Sequence, residues 1–166
     1  HLDGIFIHEP VQQLVHILQS VAMSNLNEMR DMCEKRCSRG DGISFDVAFQ
    51  VCLRRIPNWN RVIITAEKEV WNQKYPQLEK LFQYAFVKCL RQYNKVMKIE
   101  DQGAKFPALS DFLFFFLCNV SASNEVFNSS IFAMNQEHVH ISITRAVRQT
   151  LLDCVTVLYF PGKLVR

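Results

Sequence analysis

The sequence predicts an all-α, single compact domain of six or seven helices packed around one fully apolar, phenylalanine-rich helix. Three observations lead there. Phe106 to Thr144 contains no lysine or arginine, and its charged side chains are Asp111, Glu125 and Glu137, joined by the histidines His138 and His140. At its centre, Phe112-Leu113-Phe114-Phe115-Phe116-Leu117 is apolar on every side, and a helix without a polar face has to be enclosed by other elements. The run is much shorter than the roughly 20 residues needed to cross a bilayer, so protein is expected to enclose it and no transmembrane segment is predicted. Second, Leu78, Leu81, Phe82, Ala85, Phe86, Cys89, Leu90, Tyr93, Val96 and Met97 keep helical spacing over roughly six turns, which no strand can satisfy. Third, the five glycines and five prolines fall mostly between periodic segments, the pattern of helices joined by short loops.

The other elements follow in order. Pro10 suits the first turn of a helix, where its missing N–H costs nothing. From there Val11, Leu14, Val15, Leu18, Val21, Ala22, Leu26, Met29 and Cys33 keep helical spacing up to Gly40. Ser44 is placed to cap a second helix that aligns Phe45, Ala48, Phe49, Cys52, Leu53 and Ile56 and stops at Pro57. Asn58 or Asn60 can cap a third, with Trp59, Val62, Ile63, Ala66 and Val70 expected to face inward. Tyr75-Pro76 opens the fourth helix, which is expected to run to Ile99. After a polar loop from Glu100 to Pro107, Ser110 is the expected cap of the phenylalanine helix. Asn124 opens a short helix carrying Val126, Phe127, Ile131 and Met134. Val139, Ile141 and Ile143 alternate, which reads as an extended lead into a last helix capped by Ser142. That helix aligns Ile143, Val147, Thr150, Leu151, Cys154, Val155 and Leu158 before Pro161-Gly162 ends it. No repeat, low-complexity tract or linker interrupts residues 1–166, so one domain is expected.

Composition narrows the function classes. A chain of 166 residues with 49% apolar and 21% charged side chains is globular and not disordered. A net charge of +3 is too mild to imply nucleic-acid binding, which is not expected. Four of the six cysteines (Cys52, Cys89, Cys118 and Cys154) lie in apolar stretches, while Cys33 and Cys37 are one helical turn apart, an awkward geometry for a bond within one helix. Reduced thiols are therefore expected, in a cell or virion interior. The chain shows no signal-peptide pattern, although it begins at His1 and not at methionine, which leaves room for sequence upstream.

Enzyme signatures are missing: no glycine-rich phosphate loop, nucleophile elbow or zinc-protease pair is present, and no catalytic activity or cofactor is expected. Glu137, His138 and His140 share a face only if their segment is extended, and no further ligand is visible by spacing, so no metal is expected. The sequons Asn119-Val120-Ser121 and Asn128-Ser129-Ser130 flank the most apolar part of the chain and are taken as chance matches.

Two surface features remain as candidate protein-binding residues. Lys88, Arg91, Lys95 and Lys98 fall within about an 80° arc of the fourth helix, opposite its apolar face, with no acid in that arc. A solvated helix face is the simpler account; the functional ones are an acidic protein partner, a membrane surface or nucleic acid. Arg39-Gly40-Asp41 matches the tripeptide displayed by adhesion ligands and sits at the expected exposed loop after the first helix, although a helix ending at Gly40 also explains it.

The block Phe106-Pro107-Ala108-Leu109-Ser110-Asp111 through Met134-Asn135-Gln136-Glu137-His138-Val139-His140, ending in Arg145-Ala146-Val147-Arg148-Gln149-Thr150-Leu151, resembles small helical minor capsid components of nucleocytoplasmic large DNA viruses. The resemblance covers about the C-terminal third and rests on general character, without a diagnostic motif. It implies a structural protein of the virion, present in the host cytoplasm during assembly, that holds neighbouring capsid or virion subunits together. The domain is also similar to viral Bcl-2-like proteins, which wrap amphipathic helices around one very apolar helix; this implies capture of a partner helix in a groove, although their groove motif is missing.

Overall fold

The structure is a computed structural model and describes residues 2–40, 42–100, 105–123 and 136–159. Among these it is all-helical: α1 (Glu9–Ser38), α2 (Phe45–Arg55), α3 (Arg61–Lys74), α4 (Leu78–Met97), α5 (Leu109–Ser121) and α6 (Gln136–Tyr159), with 3-10 turns at Leu2–Ile7 and Ile56–Asn58. No described helix is long and apolar enough to cross a membrane. The expected helix carrying Val126, Phe127, Ile131 and Met134, and the stop at Pro161-Gly162, lie outside the described residues.

The elements begin where local chemistry allows. Ser44 caps α2, its side-chain oxygen accepting from the Val47 N–H at 3.4 Å, and Asn60 caps α3, accepting from Ile63 at 3.0 Å. Each cap satisfies a backbone donor that a helix start would otherwise leave open. Pro10 sits in the first turn of α1. The long α1 packs against α2, α4 and α6, while α5 packs against α3 and α6 and α4 also meets α6. On α1, Asn25 is buried and its side-chain amide donates to the Val21 carbonyl at 3.0 Å, so its donor is not stranded.

The core is aromatic at its centre. Phe49, Phe82, Phe86, Phe112 and Phe116 are all fully buried, and the Phe82 ring stacks on Phe112 with centroids 4.1 Å apart and planes inclined by 23°. Each such burial contributes roughly 1.5–3 kcal/mol relative to an exposed ring. Polar ties fix how the helices meet around this centre. The Asn119 amide on α5 donates to Thr150 Oγ1 at 2.9 Å and Asp153 Oδ2 at 3.1 Å on α6, and Gln19 on α1 donates to Thr144 Oγ1 on α6 at 3.1 Å. At the surface, Arg61 on α3 pairs with Asp111 on α5 at 2.7 Å.

Several sequence expectations change. The phenylalanine helix is not enclosed all round: Phe112, Leu113, Phe116, Leu117, Cys118 and Val120 are buried, but Phe114 and Phe115 are only half-buried, because the flanking helices cover one broad face. The helix also starts at Leu109, so Ala108 is the N-cap, without a side-chain bond, and Ser110 lies in the first turn. In α4, Val96 and Met97 are exposed and the helix ends at Met97 instead of Ile99, because Lys98 turns into the left-handed region at φ 54°. The alternation of Val139, Ile141 and Ile143 is helical: α6 begins at Gln136, with Val139 and Ile143 buried one turn apart and Ile141 exposed. Ser142 is thus a buried interior residue of α6 and not its cap.

The largest correction concerns α3. Its inward residues are Ile64 and Trp71, whereas Val62, Ile63, Ala66 and Val70 lie on the surface and Trp59 is half-buried. At 100° per residue the exposed four span about a 100° arc centred roughly 140° away from the buried pair. Trp71 is held by packing and by a 2.9 Å bond from its indole N–H to Glu67. The expected result is that Val62→Asp with Val70→Asp (77% and 56% exposed) leaves stability within about 0.5 kcal/mol, while Ile64→Asp (7% exposed) lowers it by several-fold more. Denaturant titration of the variants checks this.

Candidate protein-binding site

An amphipathic helix that buries one face on the core presents the opposite one to solvent, and on α4 that outward face is basic. Lys80, Tyr84, Lys88, Arg91 and Lys95 fall within about an 80° arc, because they follow at intervals of four, four, three and four residues. The structure turns part of this arc into a cleft of about 410 Å3 lined by Lys80, Tyr84, Val87, Lys88, Arg91 and Phe106, with Gln83 completing the wall. Phe106 arrives from the connection that precedes α5. It remains 47% exposed, with its ring edge-on to Phe86 at 6.0 Å. Lys88 is half-buried and its ammonium sits 5.4 Å from the centre of the Tyr84 ring, so the aromatic face orients that cation. Among the described residues, none that lines the cleft is acidic. The arrangement offers three cations and two aromatic rings along one cleft, which suits a carboxylate-rich chain carrying an apolar side chain.

The sequence-predicted residues divide accordingly. Lys88 and Arg91 line the cleft. Lys95 is exposed on the same face but outside the lining, and Lys98 is the residue that terminates α4, beyond its last helical turn. Lys80 and Phe106 were missed. Lys80 carried a signal, since it stands two turns before Lys88 on the same arc, whereas nothing local announces that Phe106 folds back onto α4.

The Arg39-Gly40-Asp41 tripeptide splits. Arg39 is the exposed C-cap of α1, and Gly40 takes φ +77° while its N–H donates to the Cys37 carbonyl at 3.3 Å. Gly40 is therefore accounted for by ending the helix, which needs a left-handed residue. Asp41 lies outside the described residues.

Among the described residues no group of three or more His, Cys, Asp or Glu side chains could hold a metal ion. Glu137, His138 and His140 are exposed on α6, and helical geometry separates the faces that an extended chain would have aligned. Asn119 is engaged between α5 and α6 with Val120 and Ser121 buried beside it, so the first sequon is inside the fold, and Asn128-Ser129-Ser130 lies outside the described residues. The six cysteines are free thiols. Burial pushes Cys89 and Cys154 up to about 12, the second helped by Asp153, Cys89 and Asp111 nearby, which keeps both protonated and unreactive.

No curated protein and no solved structure shows significant similarity to the chain. The sequence pattern of one family, described as a family of unknown function (DUF5764), matches residues 7–133, which include α1 to α5 and the whole basic cleft. The match spans well over half of the 166 residues, and the chain belongs to this family of unknown function.

Proposed function

We infer that this protein is a non-enzymatic assembly component that joins other proteins, taking an acidic segment of one neighbour onto the outer face of α4. One observation carries the reading: Lys80, Lys88 and Arg91 line a single cleft together with Tyr84 and Phe106, and none of its described lining residues carries a carboxylate. Convergent cations draw an acidic chain by long-range attraction, and the two rings give it an apolar anchor. The resemblance of the C-terminal third to minor capsid components supports a virion setting, with capsid or virion subunits as the neighbours and host cytoplasm as the place of assembly. Capture of a partner helix in a groove has less behind it, since the chain lacks the groove motif of the Bcl-2-like proteins.

The test uses a fluorescein-labelled peptide of glutamates around one phenylalanine, titrated with the full chain and followed by anisotropy. Binding is expected to weaken as salt is raised, because screening shortens the reach of exposed charges to roughly 8 Å at physiological ionic strength. Lys80→Glu with Arg91→Glu is expected to reduce affinity by about tenfold or more, while both sites are exposed and stability changes by no more than about 0.5 kcal/mol. Lys95→Glu, outside the lining, is expected to have a smaller effect. Equal losses at Lys95 and in the cleft would reduce the site to a solvated basic face, and binding indifferent to both salt and charge reversal would refute the reading.

A further inference from the structure

The junction of α1, α2 and α3 holds a second cleft, of about 250 Å3, whose wall includes Met29, Met32, Cys52 and Trp59. Cys52 is half-buried on α2, and its Sγ lies 3.7 Å from the Sγ of Cys33, a buried residue of α1 that is 19 positions away in sequence. Two thiols from separate helices are thus in contact, one reachable from a cleft and the other shielded behind it. We propose that Cys33 and Cys52 form an oxidisable pair, a disulfide-modification site served by low-molecular-weight disulfides that enter through this cleft. The proposal stands independently of the basic cleft on α4.

The geometry assigns the order of events. Burial and the adjacent Cys52 push the Cys33 thiol up to about 12, so it stays protonated and Cys52 reacts first. The Cys52 thiolate attacks one sulfur of the small disulfide. A bond forms between Cys52 and that sulfur, the small molecule's own S–S bond breaks, and the departing thiolate takes up the proton that Cys52 released. Cys33 then attacks Cys52 Sγ, its proton passing to the small thiolate that this displaces. The mixed disulfide breaks, and the second small thiolate leaves and is protonated. Two protein thiols are oxidised and one small disulfide is reduced to two thiols. To bond, the two sulfurs must close from 3.7 Å to about 2.05 Å. Cys37 is not the partner of Cys33, because side chains one turn apart on one helix are poorly placed for such a bond.

The full chain is incubated folded with oxidised glutathione, remaining thiols are alkylated in denaturant, and the product is digested with trypsin and weighed. Lys35 and Arg36 stand between Cys33 and Cys37, so digestion separates them and the bond can be assigned. The expected result is a loss of about 2 Da and a linked peptide pair containing Cys33 and Cys52. It should persist in Cys37→Ser and be reversed by a dithiol. Cys33→Ala should retain a stable glutathione adduct on Cys52, and Cys52→Ala should acquire neither bond nor adduct at Cys33. A Cys33–Cys37 or Cys37–Cys52 bond, a lasting adduct on Cys52 in the unaltered chain, or a Cys33–Cys52 bond that forms only after unfolding would each overturn the proposal. If Cys33→Ala fails to fold, the mapping of the unaltered chain and of Cys37→Ser still decides.

Discussion

Phe116→Asp is expected to leave no folded protein. Phe116 is fully buried on α5, in the same core cluster as the stacked Phe82 and Phe112 rings. Removing a buried phenylalanine side chain costs roughly 3–5 kcal/mol through lost transfer energy and the cavity left behind. The substituted carboxyl adds a desolvation penalty of several kcal/mol, or must stay protonated. A domain of this kind has about 5–15 kcal/mol in total, so the sum reaches the whole of its stability. Phe115→Asp is expected to behave differently, because Phe115 is half-buried and a carboxylate there can reach water. That variant should fold and melt at a lower temperature. Circular dichroism and size-exclusion chromatography separate the outcomes. A soluble, cooperatively melting Phe116→Asp protein would show that the aromatic centre does not organise the fold.

The contrast between these neighbouring phenylalanines marks the limit of what periodicity carries. A continuous apolar run announces a central helix but not which sector its neighbours leave open, since that depends on where α3 and α6 arrive. The faces of α1, α2 and most of α4 were legible because each has a single apolar stripe. On α3 two apolar faces compete: Val62, Ile63, Ala66 and Val70 make the more regular stripe, yet Ile64 and Trp71 are the ones enclosed. The Arg61–Asp111 pair and the Trp71–Glu67 bond are consistent with that rotation, and neither is visible from local spacing. The start of α6 was misread because Val139, Ile141 and Ile143 satisfy a two-residue period, while the pair one turn apart satisfies a helical one equally well. For the candidate site, Lys88 and Arg91 were legible from charge on one arc. Phe106, which gives the cleft its apolar anchor, was not, because it reaches α4 only through the tertiary fold.

Alkaline pH is expected to unfold this protein earlier than its surface charges alone would. Cys89 on α4 and Cys154 on α6 have native pKa values raised by burial to about 12, against 9.0 for an exposed thiol. Below pH 9 both thiols are protonated in the folded and the unfolded chain, and they add no pH dependence. Between about pH 9 and about pH 12 the unfolded chain releases these protons while the folded one keeps them. Proton loss then favours unfolding, and stability falls as pH rises. Each thiol contributes a slope of up to about 1.4 kcal/mol per pH unit, so the pair can remove several kcal/mol by pH 11 or so. Cys89→Ala with Cys154→Ala should be modestly less stable at pH 7, because two small side chains leave cavities, yet its stability should decline less steeply above pH 9. Urea unfolding midpoints followed from pH 7 to pH 11 give both slopes, and tyrosine and lysine titration contributes equally to the two proteins and drops out of the difference. Parallel slopes would mean that these thiols ionise as readily in the folded chain as in the unfolded one, which is incompatible with their burial.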